Sequence, residues 1–263
     1  MNVETMMNVQ ADYIVSQAKA GKRVDGRKLD EFRKIEIEKN LIPNAEGSCR
    51  VRMGKTDIIA GIKMSVGTPF SDKPNEGILI SNAELAPMAA ARFEPGRPSE
   101  DAVETARVID RGIRESKAMD TEKLCIEKGE KVWIVNVDVQ VMNHDGNLID
   151  AGALGAAIAL ANAKIPAYDP ETETIDIKNR KEKLPVKLKP IAVTIHKIGG
   201  KLVLDPTLEE EDVADVRLTV TTSDSGNVCA LQKSGQGSFT AEEIEEAIAM
   251  SVARGKELRK LVE

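Results

Sequence analysis

The chain has 263 residues, enough for about two ordinary domains or one large one. With 41% hydrophobic and 30% charged residues but only 3% aromatic, it describes a globular protein whose core is built from Ile, Val, Leu, Ala and Met. A formal net charge of −6 argues against a free-standing nucleic-acid binder, although local arginines or a basic partner can still supply RNA contacts.

The first residues show no basic region followed by an apolar run, so no signal peptide is expected and a cytoplasmic location follows by default. Residues 3–20 have helical spacing, with Met6, Met7, Ile14, Val15 and Ala18 as apolar contacts and Gly21 as the stop. A charged loop runs from Lys22 to Arg27. Lys34–Glu38 and Ser48–Met53 alternate as strands, and the turn Gly54-Lys55-Thr56 makes Asp57–Lys63 a hairpin partner. A further strand is predicted at Ile78–Ile80. Pro95-Gly96-Arg97-Pro98 breaks the chain, and Ser99 with Glu100 and Asp101 behind it starts a helix reaching about residue 118.

Val132–Met142 is a β-branched strand that ends in the turn Asn143-His144-Asp145-Gly146. The Ala-rich segment 150–164 reads as a buried helix stopped by Pro166, too short for a membrane span. Glu173–Pro190 is polar and lysine-rich and marks the expected domain boundary. Strands follow at Ile191–Ile198, Lys201–Leu204, Val216–Thr222 and Val228–Leu231. A helix from about 240 to 261 opens on the capping pattern Thr240-Ala241-Glu242-Glu243. Each half runs strands first, then helices. The expected fold is α+β: two βα halves with mixed sheets and helices packed on one face. The expected division is an N-terminal helix and loop over 1–30, a first domain over 31–166 and a second over 167–263.

Cys49, Cys125 and Cys229 are odd in number and form no CxxC pair, so free thiols are expected. Arg107, Arg111 and Arg114 share one stripe of the third-quarter helix spacing i, i+4, i+7, beside an apolar stripe of Val103, Ala106, Ile109 and Ile113. Such guanidiniums can hold phosphates; the same spacing also suits the intrahelical pairs Glu104–Arg107, Asp110–Arg114 and Arg111–Glu115. Asp205, Glu209, Glu210, Glu211 and Asp212 form a carboxylate cluster at a strand end. It suits either a divalent metal or general acid, or the acidic first turn of a helix. His144 and His196 have no ligand at a metal spacing, and no metal or other cofactor is expected. Ser234-Gly235-Gln236-Gly237 has no adjacent phosphate-binding motif and reads as a turn.

Taken together, Arg23-Val24-Asp25-Gly26-Arg27, Gly47-Ser48-Cys49-Arg50-Val51, Glu94-Pro95-Gly96, Ala106 to Arg111, Asp145-Gly146, Asp205-Pro206-Thr207 and Lys233-Ser234-Gly235 resemble the RNase PH superfamily over nearly the whole chain. Within it, Gly146 to Ala151 and Asp205-Pro206-Thr207 look most like the non-catalytic RNase PH-type subunits of the archaeal exosome. The resemblance implies an alternating hexameric ring, a trimer of heterodimers with a catalytic RNase PH-type subunit, which degrades single-stranded RNA from its 3′ end by phosphorolysis. It also implies RNA-binding cap proteins as partners. In active relatives a Gly-Thr-Arg run after the Asp-Gly turn holds the attacking phosphate. Asn147, Leu148 and Ile149 stand here instead, so no catalytic residue is expected. By the same resemblance Arg107 and Arg111 contact RNA, while Asp205 and Glu211 remain as carboxylates without a catalytic role. The alternative is an active phosphorolytic exoribonuclease that uses Asp205 and Glu211 with a metal.

Overall fold

The computed structural model describes residues 3–262, without the side chains of residues 3–8 and 181. The predicted contacts of Met6 and Met7 lie outside the described side chains. Helix α1 (Val3–Lys19) ends at Gly21, whose φ of +71° closes the helix through the Gly21 N–H to the Ala18 carbonyl. Among its described side chains, Ile14 and Ala18 are buried.

The first sheet contains β1 (Ile35–Lys39), β2 (Gly47–Met53), β3 (Thr56–Gly67), β4 (Ile78–Leu85), β5 (Cys125–Glu127) and β6 (Lys131–Asn143). Its order is β1-β2-β3-β6-β4, with β5 on the end of β6; every pairing is antiparallel except β4 with β6. Strict alternation along β3 and β6 sends Ile58, Ala60 and Ile62 to the same buried face as Val137, Val139 and Val141. Helix α2 (Glu100–Glu115) lies between β4 and β6 in the chain and packs on β4. Its buried face is Ala102, Thr105, Val108, Ile109, Gly112 and Ile113, whereas the expected apolar residue Val103 is exposed.

Helix α3 (Leu148–Asn162) covers the inner face of the first sheet and also touches the second. Small side chains make this possible. A Cβ on Gly155 would stand 2.6 Å from Ile58 Cδ1, and one on Gly47 would stand 2.3 Å from the Ala159 carbonyl oxygen.

Within the lysine-rich segment expected as the domain boundary, β8 (Thr174–Lys183) forms a hairpin with β7 (Lys164–Asp169). Pro166 sits inside β7; α3 has already ended at Asn162. The second sheet is built from β9 (Ile191–Ile198), β10 (Lys201–Leu204), β11 (Val216–Thr222) and β12 (Val228–Ser234), in the order β10-β9-β11-β12. It is antiparallel throughout and not mixed. Short helix α4 (Leu208–Asp212) leads from β10 to β11, and α5 (Ala241–Arg259) closes the chain. Both hydrogen bonds of the Thr240–Glu243 capping box are present.

Helices were expected on one face only. In the second sheet both faces are covered: Thr194 faces α3 through Asp150, while Lys197 meets Glu243 of α5. β9 is accordingly buried at every position but Lys197. Among the described residues no helix is long and apolar enough to cross a membrane. Cys49, Cys125 and Cys229 are free, and burial pushes the Cys49 thiol up to about 12.

Candidate functional site: a carboxylate junction and an arginine helix

The turn after β6, the start of α3 and the β10–α4 connection meet at one point. Gly146 adopts φ +85°, and a Cβ there would stand 2.5 Å from the Pro206 carbonyl oxygen. Glycine is therefore required by conformation and by contact. Thr56 fixes the turn from the first sheet, donating to the Gly146 carbonyl at 2.7 Å and accepting from the Asp145 N–H at 3.2 Å.

Asp205 follows β10 in the left-handed region, at φ +47°, and is fully buried. Both of its oxygens are occupied. Oδ2 accepts from the Arg33 N–H at 2.7 Å, Arg33 Nε at 2.9 Å and Arg27 Nη1 at 3.1 Å. Oδ1 accepts from Arg33 Nη2 and Asn147 Nδ2, each at 2.8 Å. Arg33 also donates to the Asp145 carbonyl at 2.6 Å, so one guanidinium ties the turn to the aspartate. The bond to Asp205 raises the Arg33 pKa against the opposing effect of burial. Nearby, Arg23 is buried on Glu210 and donates to the carbonyls of Leu204 and Asp205. Glu210 meanwhile completes a capping box with Thr207. The acidic run thus supplies a helix start, as one of its two readings anticipated.

Glu211 points the other way, toward α3. Its Oε2 accepts from the Asn147 N–H at 3.1 Å; Oε1 lies 3.4 Å from Arg217 Nη1 and 3.6 Å from His196 Nε2. Burial disfavours its charge, but the approach of His196 and the charge of Arg217 outweigh this and hold the carboxyl at about 2. A cavity of about 220 Å³ adjoins it, lined by Phe93, Thr105, Leu148, Ile149 and Arg217 among others. His144 stacks on Phe93 at 5.3 Å between centroids and meets Arg92, which itself pairs with Asp212. Burial lowers the His144 pKa.

A metal does not fit this donor set. The five donors on Asp205 leave no oxygen lone pair directed at an ion, and both Glu211 oxygens face donors. Leu148 and Ile149 are buried aliphatic side chains at the α3 N-terminus, with no hydroxyl or guanidinium to offer.

The arginine stripe stands apart from this junction. Ser99 caps α2, its Oγ accepting from the Ala102 N–H at 3.2 Å. Of the three intrahelical pairs that spacing allows, only Asp110–Arg114 forms. Glu104 turns instead to Arg217 of β11, at 2.6 Å. Arg107 and Arg111 are exposed and have no hydrogen bond or ion pair among the described residues. They line an open groove of about 670 Å³ with Val103, Gln232 and Lys233.

The structure therefore brings Asp205 and Glu211 together with Asn147, and it leaves Arg107 and Arg111 on one helix face with no partner among the described residues. Arg27, Arg33, His196 and Arg217 were not singled out from sequence as site residues. Arg27 and Arg33 reach Asp205 from far along the chain, Arg33 from 172 positions away, so no local spacing could reveal those contacts.

Comparison with known proteins places this arrangement in a family. Residues 31–166 match the model of the 3′ exoribonuclease family, domain 1, and residues 189–254 match that of domain 2. The chain is similar to the exosome complex component Rrp42 of Pyrococcus furiosus, 47% identical over 99% of this chain and 95% of the relative. It is similar to that of Methanopyrus kandleri at 43%, over 100% of this chain and 98% of the relative. Among solved structures, a chain of the Archaeoglobus fulgidus exosome with RNA bound to the active site superimposes with a TM-score of 0.91 at 44% identity, covering 98% of this chain and 100% of that one. An archaeal exosome core chain gives 0.88 at 42%, covering 100% of this chain and 99% of that one. With two α+β halves in the expected order and both family models matched along its length, the chain belongs to the 3′ exoribonuclease family of RNase PH type.

Proposed function

We propose that the chain is a non-catalytic subunit of an archaeal-type exosome, a ring that degrades RNA from the 3′ end by phosphorolysis. In this reading it alternates with a catalytic RNase PH-type subunit in a hexamer that carries RNA-binding cap proteins. It shapes the partner's active site and guides the single strand through Arg107 and Arg111. The likeness to Rrp42 components over nearly full length supports the assembly. The observation that carries the non-catalytic part is the closed junction. Asp205 is saturated by Arg27, Arg33 and Asn147, and the α3 N-terminus presents Leu148 and Ile149 where a phosphate would need donors. Loss of one preorganised donor costs about 100- to 1000-fold in rate. Here several are gone together.

The two unpaired arginines support the guiding role. A polyanion can engage both without first breaking an ion pair. The test uses the chain alone and assembled with its RNase PH-type partner, given single-stranded RNA, inorganic phosphate and Mg²⁺. The chain alone is expected to release no nucleoside diphosphate; phosphate-dependent release would overturn the reading. In the ring, Arg107→Ala with Arg111→Ala should weaken RNA binding. The slope of log affinity against log salt should fall by about 0.7 for each phosphate contact removed. Unchanged affinity and slope would remove the guiding role. Asp205 is unsuited to such a test, because its removal would strand the five donors that Arg27, Arg33 and Asn147 direct at it.

A further inference from the structure

Glu211 sits where the chain would otherwise leave the Asn147 amide without an acceptor beside an unpartnered His196 ring and the guanidinium of Arg217, which it shares with Glu104. The Asn147 N–H lies at the N-terminus of the 15-residue helix α3, where backbone donors are unpaired and the helix dipole favours negative charge. Arg217 comes from β11 and His196 from β9, so three separate elements converge on one carboxylate. His196 is 1% exposed, and neither ring nitrogen has a hydrogen-bond partner among the described residues. Its Nε2 points at Glu211 from 3.6 Å, beyond hydrogen-bonding distance. A buried polar group left in this state is destabilising unless something charged or polar comes to meet it. The adjoining cavity of about 220 Å³ has room for an ion larger than a water molecule, whose share of liquid is about 30 Å³.

We infer that Glu211 is an internal anion: its carboxylate fills an oxyanion pocket formed by the Asn147 amide, Arg217 and His196, and its removal uncovers a site for a tetrahedral oxyanion such as inorganic phosphate or sulfate. The inference rests on the reading that this chain holds no phosphate of its own, and it gives that loss a second cause. Leu148 and Ile149 withdraw donors; Glu211 takes those that remain. Its side-chain length matters, since an aspartate at this position would stop one methylene short of the Asn147 amide.

The test titrates inorganic phosphate, then sulfate, into the purified full chain by calorimetry, with the Asn147 amide followed by ¹H–¹⁵N spectroscopy. The natural chain should show no saturable binding. Glu211→Ala and Glu211→Gln should bind both ions with a gain of about tenfold or more and move the Asn147 resonance, and adding Arg217→Ala should abolish the gain. Folded variants that bind neither ion, or a natural chain that binds as well as they do, would overturn the proposal. Should the neutral variants fail to fold, Glu211→Asp keeps the charge and retracts it. Its Asn147 amide is then expected to shift without added ion, and an unchanged resonance would count against the proposal. Nucleoside diphosphate release by the natural chain would sink the non-catalytic reading through a different signal. Absent anion binding in folded variants would leave that reading standing.

Discussion

Asp150 is a fully buried carboxyl at the start of α3. Burial dominates and raises its pKa from 3.8 to about 7, against the hydrogen bonds from Thr194 and Asn147, and the charge of Asp205 nearby adds to the rise. A carboxyl whose pKa is higher in the folded state contributes stability that is complete below its unfolded value and is lost as pH climbs through the folded value. Between about pH 4 and 7 the natural protein should therefore lose up to about 1.4 kcal/mol per pH unit through this group. Asp150→Asn should remove that slope while keeping the bonds. The amide oxygen can accept from the Thr194 and Asn147 N–H groups, and its nitrogen can donate to Thr194 Oγ1. Urea titrations at several pH values check this; parallel curves for both proteins would refute it. At this scale the sequence was half legible. Helical spacing put Arg107 and Arg111 on one stripe of α2, and the acidic run marked Asp205 and Glu211. What each group touches was hidden, because Glu104 chose Arg217 on a distant strand over its helical neighbour.

Among the elements, the turn at Asp145-Gly146 is the most constrained. Gly146→Ala would place a side chain in the left-handed region and press it against Pro206 and Thr207. Gly200 has φ +78° and open space around it, so Gly200→Ala reports the conformational cost alone. That cost is about 1–3 kcal/mol, and Gly146→Ala should exceed it clearly in calorimetric melting. Equal losses in the two variants would mean that the contact with the β10–α4 connection yields freely. Elements with a clear apolar period were read correctly from sequence, including β6, β9 and α5. The β7–β8 hairpin was not. Among the described residues its lysine-rich strand carries no alternation of buried and exposed positions, so it shows no strand period in the sequence. β4 also runs five residues beyond its expected end at Ile80, because its parallel pairing with β6 continues through the polar Ser81, Asn82 and Glu84.

At the level of the whole molecule, α3 joins the two halves. Every residue from Leu148 to Leu160 except Ala153 is buried, and the helix touches both β3 and β9. Its amides should exchange with solvent only through global unfolding, more slowly than those of α2 and α5, each of which keeps an exposed face. Hydrogen-exchange mass spectrometry decides this; an α3 that exchanged faster than α2 would show that the halves separate before they unfold. The low aromatic content read from composition has its counterpart here. Ala and Gly along α3 let two sheets approach a single helix, where larger side chains would hold them apart.

The arginine clamp on Asp205 has a consequence for reversibility. On the proposed reading, chemistry was not lost at one position that one substitution could restore. Releasing a carboxylate oxygen means removing Arg33, yet Arg33 also holds the Asp145 carbonyl and with it the entrance to α3. Replacing Asn147 removes one of the two donors on Oδ1, leaving that of Arg33, and strips a donor from Asp150. Each step back toward an open site would dismantle the scaffold that the site needs, so a designer seeking an active chain would have to rebuild the turn, the helix start and the β10–α4 connection in one move.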